Sequence, residues 1–344
     1  MILYIHIPFC LNRCGYCTFV SYENAQSLQE NFVQALIKDL SLSKVSTPIT
    51  SIFFGGGTPN LLSEKFYEKI FIAINKNFSL AQNCEITLEA NPNLITSHWC
   101  NTLKNLGATR LSIGVQSFFD DKLHFLQRDH FYKDINQAIS TAYDSGIKNL
   151  SIDLIYDTPQ DTPLRIYEEI KKASMLPINH ISAYSLSIEK NSSLQKQGFR
   201  QTSFSLHQEI ISALKEFNFL QYEVSNYSRG YKVLHNLSYW RYEDYIGCGC
   251  GSVGKIDNTR FYTHTNLENY IKNPDFRKKE LLSEEDIRTE KIFLGLRCEI
   301  GVDVSLLNPK KLQILLEEKK VVCKNGRVFA LDYFIADELA LWLL

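Results

Sequence analysis

Short apolar runs along this chain alternate with longer stretches in which apolar residues return at helical spacing. The runs are ILYIHI (2–7), SIFF (51–54), EITLE (85–89), RLSIGV (110–115), NLSIDLI (149–155) and HISAYSL (180–186). Between them lie amphipathic segments around 26–44, 63–76, 97–106, 133–144, 163–174 and 203–217, with Phe32, Leu36 and Leu40 in helical repeat. A strand-and-helix unit every about 30–40 residues calls for parallel strands joined by crossover helices. The pattern therefore predicts an α/β fold, with a partial (β/α)6 TIM-like barrel over residues 1–225.

The pattern then changes twice. Residues 226–281 are aromatic and punctuated by glycine, too irregular for another barrel unit and too hydrophobic for a linker, and are read as a connecting region. From 282 onward two helical segments (283–296 and 308–319) precede VVCKNGRVFAL and a last helix from Tyr333. Asn325-Gly326 between two apolar runs signals a two-residue hairpin, so residues 282–344 are expected to form a small winged-helix-like α+β domain. Residues 281–344 carry 11 acidic and 9 basic side chains, which argues against nucleic acid as the partner of that shape.

Several predicted strands end in residues suited to chemistry. SIFF runs into Gly55, Gly56, Gly57 and Thr58, EITLE ends at Glu89, RLSIGV is followed by Gln116, and NLSID reaches Asp153. In parallel barrels the carboxyl ends of the strands form one face, where active sites are built. The first strand delivers Cys10, Cys14 and Cys17 to that face.

Three cysteines within eight positions are an odd number for zinc, which usually takes four protein ligands. A cubane iron-sulfur cluster has four irons, each wanting an external ligand, so three thiolates leave one iron free for a chelating small molecule. Phe9, Tyr16 and Phe19 interleave the cysteines and are expected to shield such a group. The competing reading is a zinc knuckle completed by a distant His or Cys, although the neighbouring His6 reads as a strand residue facing one side.

Composition narrows the class further. The formal net charge of −1 leaves no electrostatic footprint for nucleic acid or an anionic membrane surface. No run is apolar enough to span a membrane and the start lacks the features of a secretory signal. A cytoplasmic protein is expected, with peripheral membrane contact left open. In that reducing compartment nine cysteines read as ligands plus core thiols. Cys84, Cys100, Cys298 and Cys323 are taken as core residues, and Cys248 and Cys250 as buried thiols, with a ligand role the alternative.

The C-x-x-x-C-x-x-C spacing resembles the radical S-adenosylmethionine superfamily. The wording YIHIPFC, FGGGTP, LEANP, SIGVQSF, SIDLIYDTP, HISAYSL, YEVSNY and HNLSYW is similar to one branch, which holds oxygen-independent coproporphyrinogen III oxidases and HemW-type heme chaperones. The likeness runs from about residue 2 to residue 254. It implies a radical SAM barrel in which Cys10, Cys14 and Cys17 hold a 4Fe-4S cluster. It also implies that Tyr4, Gly56, Gly57, Thr58, Glu89, Gln116, Arg128 and Asp153 line an S-adenosylmethionine site. Glycines let backbone approach a ligand closely, and a side chain at Gly57 is expected to intrude on that ligand more than on the cluster.

Within the branch two departures favour the chaperones. The oxidases continue to a fourth cysteine where this chain has Phe19, and they carry a sizeable segment ahead of the cluster, whereas Cys10 lies almost at the start. The H-N-x-x-Y-W motif marks the chaperones and nominates His235 as a heme ligand, with Tyr239 and Trp240 against the macrocycle. Heme and a heme-accepting apo-protein, such as a respiratory one, are the partners this implies; the alternative function is coproporphyrinogen oxidation. Relatives usually have glycine where Asp157 stands, so a different turn is expected there. The segment Gly249-Cys250-Gly251-Ser252-Val253 also departs from the relatives' pattern.

Overall fold

The computed structural model describes residues 1–344. Its first six strands fall on the six apolar runs: β1 (Ile2–Ile7), β2 (Ile49–Gly56), β3 (Leu80–Ala90), β4 (Arg110–Gln116), β5 (Asn149–Tyr156) and β6 (His180–Ser185). They pair in parallel and in sequence order. The crossovers are α1 (Gln29–Leu42), α2 (Glu64–Asn77), α3 (Ser97–Asn105), α4 (Asp120–Phe125) with α5 (Tyr132–Asp144), and α6 (Pro163–Ser174). Helix starts are written locally: Thr162 caps α6 by accepting from Arg165 N–H, and Pro163 occupies the first helical position.

After β6 come α7 (Ser193–Lys196) and α8 (His207–Glu216), then β7 (Leu220–Gln221) and β8 (Asn226–Ser228), which add antiparallel strands beside β6. The chain then crosses to the other edge. Helix α9 (Leu234–Trp240) leads into β9 (Tyr245–Gly249), which pairs in parallel with β1. Antiparallel β10 (Val253–Ile256) and β11 (Thr259–Tyr262), helix α10 (Leu267–Lys272) and β12 (Lys278–Leu281) follow. The result is one open twelve-stranded sheet, ordered β12-β11-β10-β9-β1-β2-β3-β4-β5-β6-β8-β7. It matches the partial barrel expected from the sequence, and its ends do not close.

The segment 226–281, read from sequence as a connector, thus contributes five strands to the main sheet. Ile246, Cys248, Cys250, Leu267 and Tyr270 join the same buried core as the barrel strands. Its short strands escaped the periodicity reading because glycines at 247, 249, 251 and 254 interrupt the apolar pattern. Those at 247 and 249 are required by packing: a Cβ on Gly247 would lie 2.1 Å from Val253 O, and one on Gly249 2.3 Å from His6 O.

The C-terminal part builds a separate core from α11 (Glu284–Leu296), β13 (Val302–Asp303), α12 (Pro309–Glu317), β14 (Val321–Lys324), β15 (Arg327–Ala330) and α13 (Ala336–Leu343). Ser283 and Asp286 form a capping box at the start of α11. The hairpin is where Asn325-Gly326 predicted it, both residues having positive φ (51° and 73°) as a type I′ turn requires. Cys84, Cys100 and Cys298 are buried, but Cys323, also expected in the core, is exposed near the hairpin tip.

One buried carboxylate ties the late strands to the early helices. Asp39 of α1 accepts from Gly249 N–H (3.1 Å) and Tyr270 Oη (2.8 Å) and pairs with Arg277. Removing one partner of a buried pair leaves the other charge uncompensated. Asp39→Ala should therefore cost about 3–5 kcal/mol, read as a lower urea midpoint, and Asp39→Asn should cost less. An unchanged midpoint in Asp39→Ala would show that this contact does not hold the β9 edge.

Candidate functional site

The three cysteines sit on a loop fastened at both ends. At its base Cys10 N–H donates to Tyr22 O (3.1 Å) and Tyr22 N–H to Pro8 O (2.7 Å). At its tip Gly15 N–H donates to Leu126 O (3.1 Å), while Leu194 N–H donates to Gly15 O (2.9 Å). The glycine-rich loop after β2 runs alongside: Gly57 N–H donates to Ile7 O (2.8 Å) and Thr58 N–H to Phe9 O (2.7 Å).

Those bonds revise the expected role of Gly57. A Cβ there would stand 2.6 Å from Phe9 O and 3.0 Å from Ile7 O, so the residue is small because the cysteine loop's own backbone lies against it. Gly56, at φ 111°, would drive a Cβ into the His6 ring at 2.5 Å.

Behind the loops opens a cavity of about 450 Å³ at the carboxyl ends of the parallel strands. Cys10, Cys14, Cys17, Gly56, Gly57, Thr58, Glu89, Gln116, Arg128 and Asp153 all line it, so ten residues come together from the ends and loops of five strands, while Tyr4 does not join them. The Tyr4 hydroxyl instead meets His6 Nδ1 at 3.0 Å, in a second cavity. His6 Nε2 lies 2.8 Å from Val20 O, an acceptor only, so that nitrogen carries the proton and Tyr4 donates to Nδ1. With both ring nitrogens engaged, His6 is no fourth metal ligand. No three His, Cys, Asp or Glu side chains converge as a single-ion site.

The donor set suits a larger sulfur-ligated group. Arg128 donates through Nη1 to Cys14 Sγ (3.0 Å), and through Nη2 to Asn91 Oδ1 and Gly114 O (both 2.8 Å). Burial alone would lower the Arg128 pKa, but the neighbouring Cys14 and Tyr16 raise it, so the guanidinium stays charged beside the thiol. Thr58 Oγ1 donates to Cys10 Sγ at 3.6 Å. Burial pushes the Cys10 and Cys17 thiols up, so bare thiolates there call for a cation or metal to compensate them. Tyr16 and Phe19 line the cavity as expected, whereas Phe9 turns into the core against Phe32, on the same strand face as Ile5 and Ile7.

The far wall is polar and short of donors. Burial, then the neighbouring Asp153, pushes Glu89 up to about 7, although Gly56 N–H donates to its Oε2 at 3.2 Å. Burial likewise raises Asp153, which accepts from Ser112 Oγ at 3.3 Å. Two buried carboxylates side by side favour a ligand that brings positive charge or hydroxyl donors. Gln116 turns into the cavity through a left-handed φ of 64° at an irregularity between β4 and β5. Asn91, Ser112 and Gly114 also line the cavity and were not singled out from sequence. The alternation Ser112, Gly114, Gln116 along β4 carried that signal.

Asp157 shows how the chain absorbs a departure. It adopts φ 63°, the left-handed conformation that glycine takes easily and Asp tolerates. Its carboxylate accepts from Leu206 N–H (2.7 Å), Ser185 Oγ (2.7 Å) and Ser205 Oγ (2.9 Å). These side-chain bonds offset the conformational cost of that backbone geometry.

The second cavity, about 470 Å³, shares Thr18 and Phe19 with the first and is otherwise lined largely by rings: Tyr4, His6, Phe53, His235, Tyr239 and Tyr245. His235 Nδ1 lies 3.0 Å from Ser51 Oγ, and its Nε2 is buried without a partner. Burial, then the Arg110 charge, pushes His235 down to about 3, so the ring is neutral at pH 7. Tyr239 joins His235 on this wall, four residues on along α9. Trp240, expected beside them, lies five residues on and is not part of the cavity lining. Cys248 and Cys250 are buried in the core, their thiols pushed up by burial.

A profile of the Radical SAM superfamily matches residues 4–173. The chain is 33% identical over 317 residues to the heme chaperone HemW of Bacillus subtilis, spanning 87% of this chain and 84% of that one. It is 34% identical over 266 residues to heme chaperone HemW of Escherichia coli, spanning 74% and 70%. Among solved structures, coproporphyrinogen III oxidase (HemN) from Escherichia coli superposes with a TM-score of 0.85 at 19% identity, covering 99% of this chain and 89% of that chain. That likeness shows a common fold. No helix is long and apolar enough to cross a membrane.

Two substitutions separate the loop's chemistry from its packing. Cys14→Ser should leave most of the barrel folded but abolish the visible absorption of anaerobically reconstituted protein, because the residue lies on a loop outside the sheet core; a full iron-sulfur spectrum would contradict this. Gly57→Ala should reduce both thermal stability and reconstituted iron, since its Cβ meets the Ile7 and Phe9 carbonyls. Normal iron content with only small-molecule binding lost would restore the ligand-clash explanation.

Proposed function

Because the chain belongs to the Radical SAM superfamily, in the group of proteins named HemW, we propose that it is a heme chaperone: it binds heme and passes it to an acceptor apo-protein. The observation that carries this reading is the ring-lined second cavity with the buried, neutral and unpartnered Nε2 of His235 in its wall. A neutral imidazole with a free lone pair is the commonest protein ligand of heme iron. Phe53 and Tyr239, with ring centroids 5.1 Å from the imidazole, flank it and must part for coordination.

The first cavity supports the family's cofactor pair. Cys10, Cys14 and Cys17 would hold a 4Fe-4S cluster, with Arg128 and Thr58 placed to stabilise thiolate charge. Gly56, Gly57, Thr58, Glu89, Gln116, Arg128 and Asp153 would form the wall for S-adenosylmethionine, whose ammonium and hydroxyl groups match the two buried carboxylates. When bound, the cluster supplies an iron coordination position open to the amino and carboxylate groups of that cofactor. Tyr4 is left out of this set, since its hydroxyl is committed to His6. It faces the heme cavity instead.

Phe19 favours a chaperone over coproporphyrinogen oxidation. It stands where the oxidases place a fourth cysteine, is 67% exposed, and lies between the two cavities. Anaerobically purified protein should take up heme at about one per chain without decarboxylating coproporphyrinogen III. His235→Ala should shift the heme absorption bands and weaken binding, whereas Trp240→Ala, off the cavity wall, should leave the bands in place. Turnover of coproporphyrinogen by the wild type would reverse the choice of function.

A further inference from the structure

The unpartnered nitrogen of His235 sits at the end of a buried hydrogen-bond chain that none of the preceding roles explains. Glu85 is 2% exposed and accepts four hydrogen bonds: from Tyr231 Oη (2.6 Å), Leu234 N–H (2.9 Å), His235 N–H (3.0 Å) and Ser51 Oγ (3.3 Å). Four donors match the acceptor sites of a carboxylate, which in that arrangement has no proton to offer. Ser51 has a single hydroxyl proton, and Glu85 takes it. The Ser51 oxygen therefore meets His235 Nδ1, 3.0 Å away, as an acceptor. Nδ1 carries the ring proton, and the neutral imidazole presents a bare lone pair at Nε2.

We propose that Glu85 and Ser51 are positioning residues for heme, fixing His235 in the tautomer whose Nε2 can ligate iron. The inference rests on the heme reading of His235 and extends it to residues on two strands distant in sequence. Glu85 acts twice. Its bonds to Leu234 N–H and His235 N–H hold the first turn of α9, and its bond to Ser51 sets the direction of the relay. A carboxylate behind the Nδ1 proton, here through one hydroxyl, raises the basicity of the other nitrogen, as outer partners do for metal-bound histidines generally. Without Ser51, the Nδ1 proton loses its acceptor and a buried imidazole gains nothing by keeping it there.

The test begins without heme. In apo-protein labelled with 15N-histidine, with the resonance assigned by its loss in His235→Ala, wild type should show Nδ1 protonated and Nε2 bare at neutral pH. Ser51→Ala should populate the other tautomer, bind heme about 10-fold or more weakly and shift its absorption bands; Ser51→Thr, which keeps the hydroxyl, should restore all three. A wild-type apo-protein with the proton on Nε2 overturns the inference whatever heme does, and this readout stands even if Ser51→Ala fails to fold. If His235→Ala shifts the heme bands but folded Ser51→Ala binds heme as wild type does, the inference fails and the heme reading survives. If His235→Ala leaves the bands unchanged, the ligand reading itself is overturned.

Discussion

Two backbone hydrogen bonds, from Gly57 N–H to Ile7 O and from Thr58 N–H to Phe9 O, hold the site together. They continue the pairing of β1 with β2 beyond the ends of both strands, so the cysteine loop and the glycine loop leave the sheet as one unit. The approach is possible only because position 57 has no Cβ. Everything in the first cavity then follows from where the strands end. The thiols stand on one side and Glu89, Gln116 and Asp153 on the other, with Arg128 reaching between them.

Charge is managed differently in the two cavities. The first gathers thiols, carboxylates and one guanidinium, with Arg128 set against Cys14 and both carboxylates raised by burial. The second is lined mainly by rings, and its ionisable groups are kept neutral: His235 and His6 are both pushed down by burial, while Tyr4 is pushed well above its usual value. A flat apolar ligand with a metal at its centre asks for that kind of wall, with one lone pair in it. Phe19 borders both spaces, so the two walls share one side chain.

Much of this was legible in the chain itself. Six apolar runs became six parallel strands, and the polar residues that close them, Glu89, Gln116 and Asp153, met in one cavity with the three cysteines. This works because a parallel strand has only one way to end on the ligand-binding face, and the residues there are set by local sequence. Asn325-Gly326 likewise dictated its hairpin, since few other dipeptides accept two positive φ angles.

Other features belong to the tertiary structure. The pairing of β9 with β1 joins residues more than two hundred positions apart, and glycines demanded by close packing erased the apolar period that would have announced it. Tyr4, Phe9 and Trp240 keep company with site residues in sequence but do not line the cavity expected of them, because strand alternation and helical phase, not proximity, decide direction. The same holds for Glu85 and Ser51, which carry no local signature and acquire meaning only where β2, β3 and α9 meet. Sequence by itself determined which elements form and which residues close them, since those depend on short-range pattern. Only the tertiary structure decided which atoms share a hydrogen bond, because that depends on where distant segments come to rest.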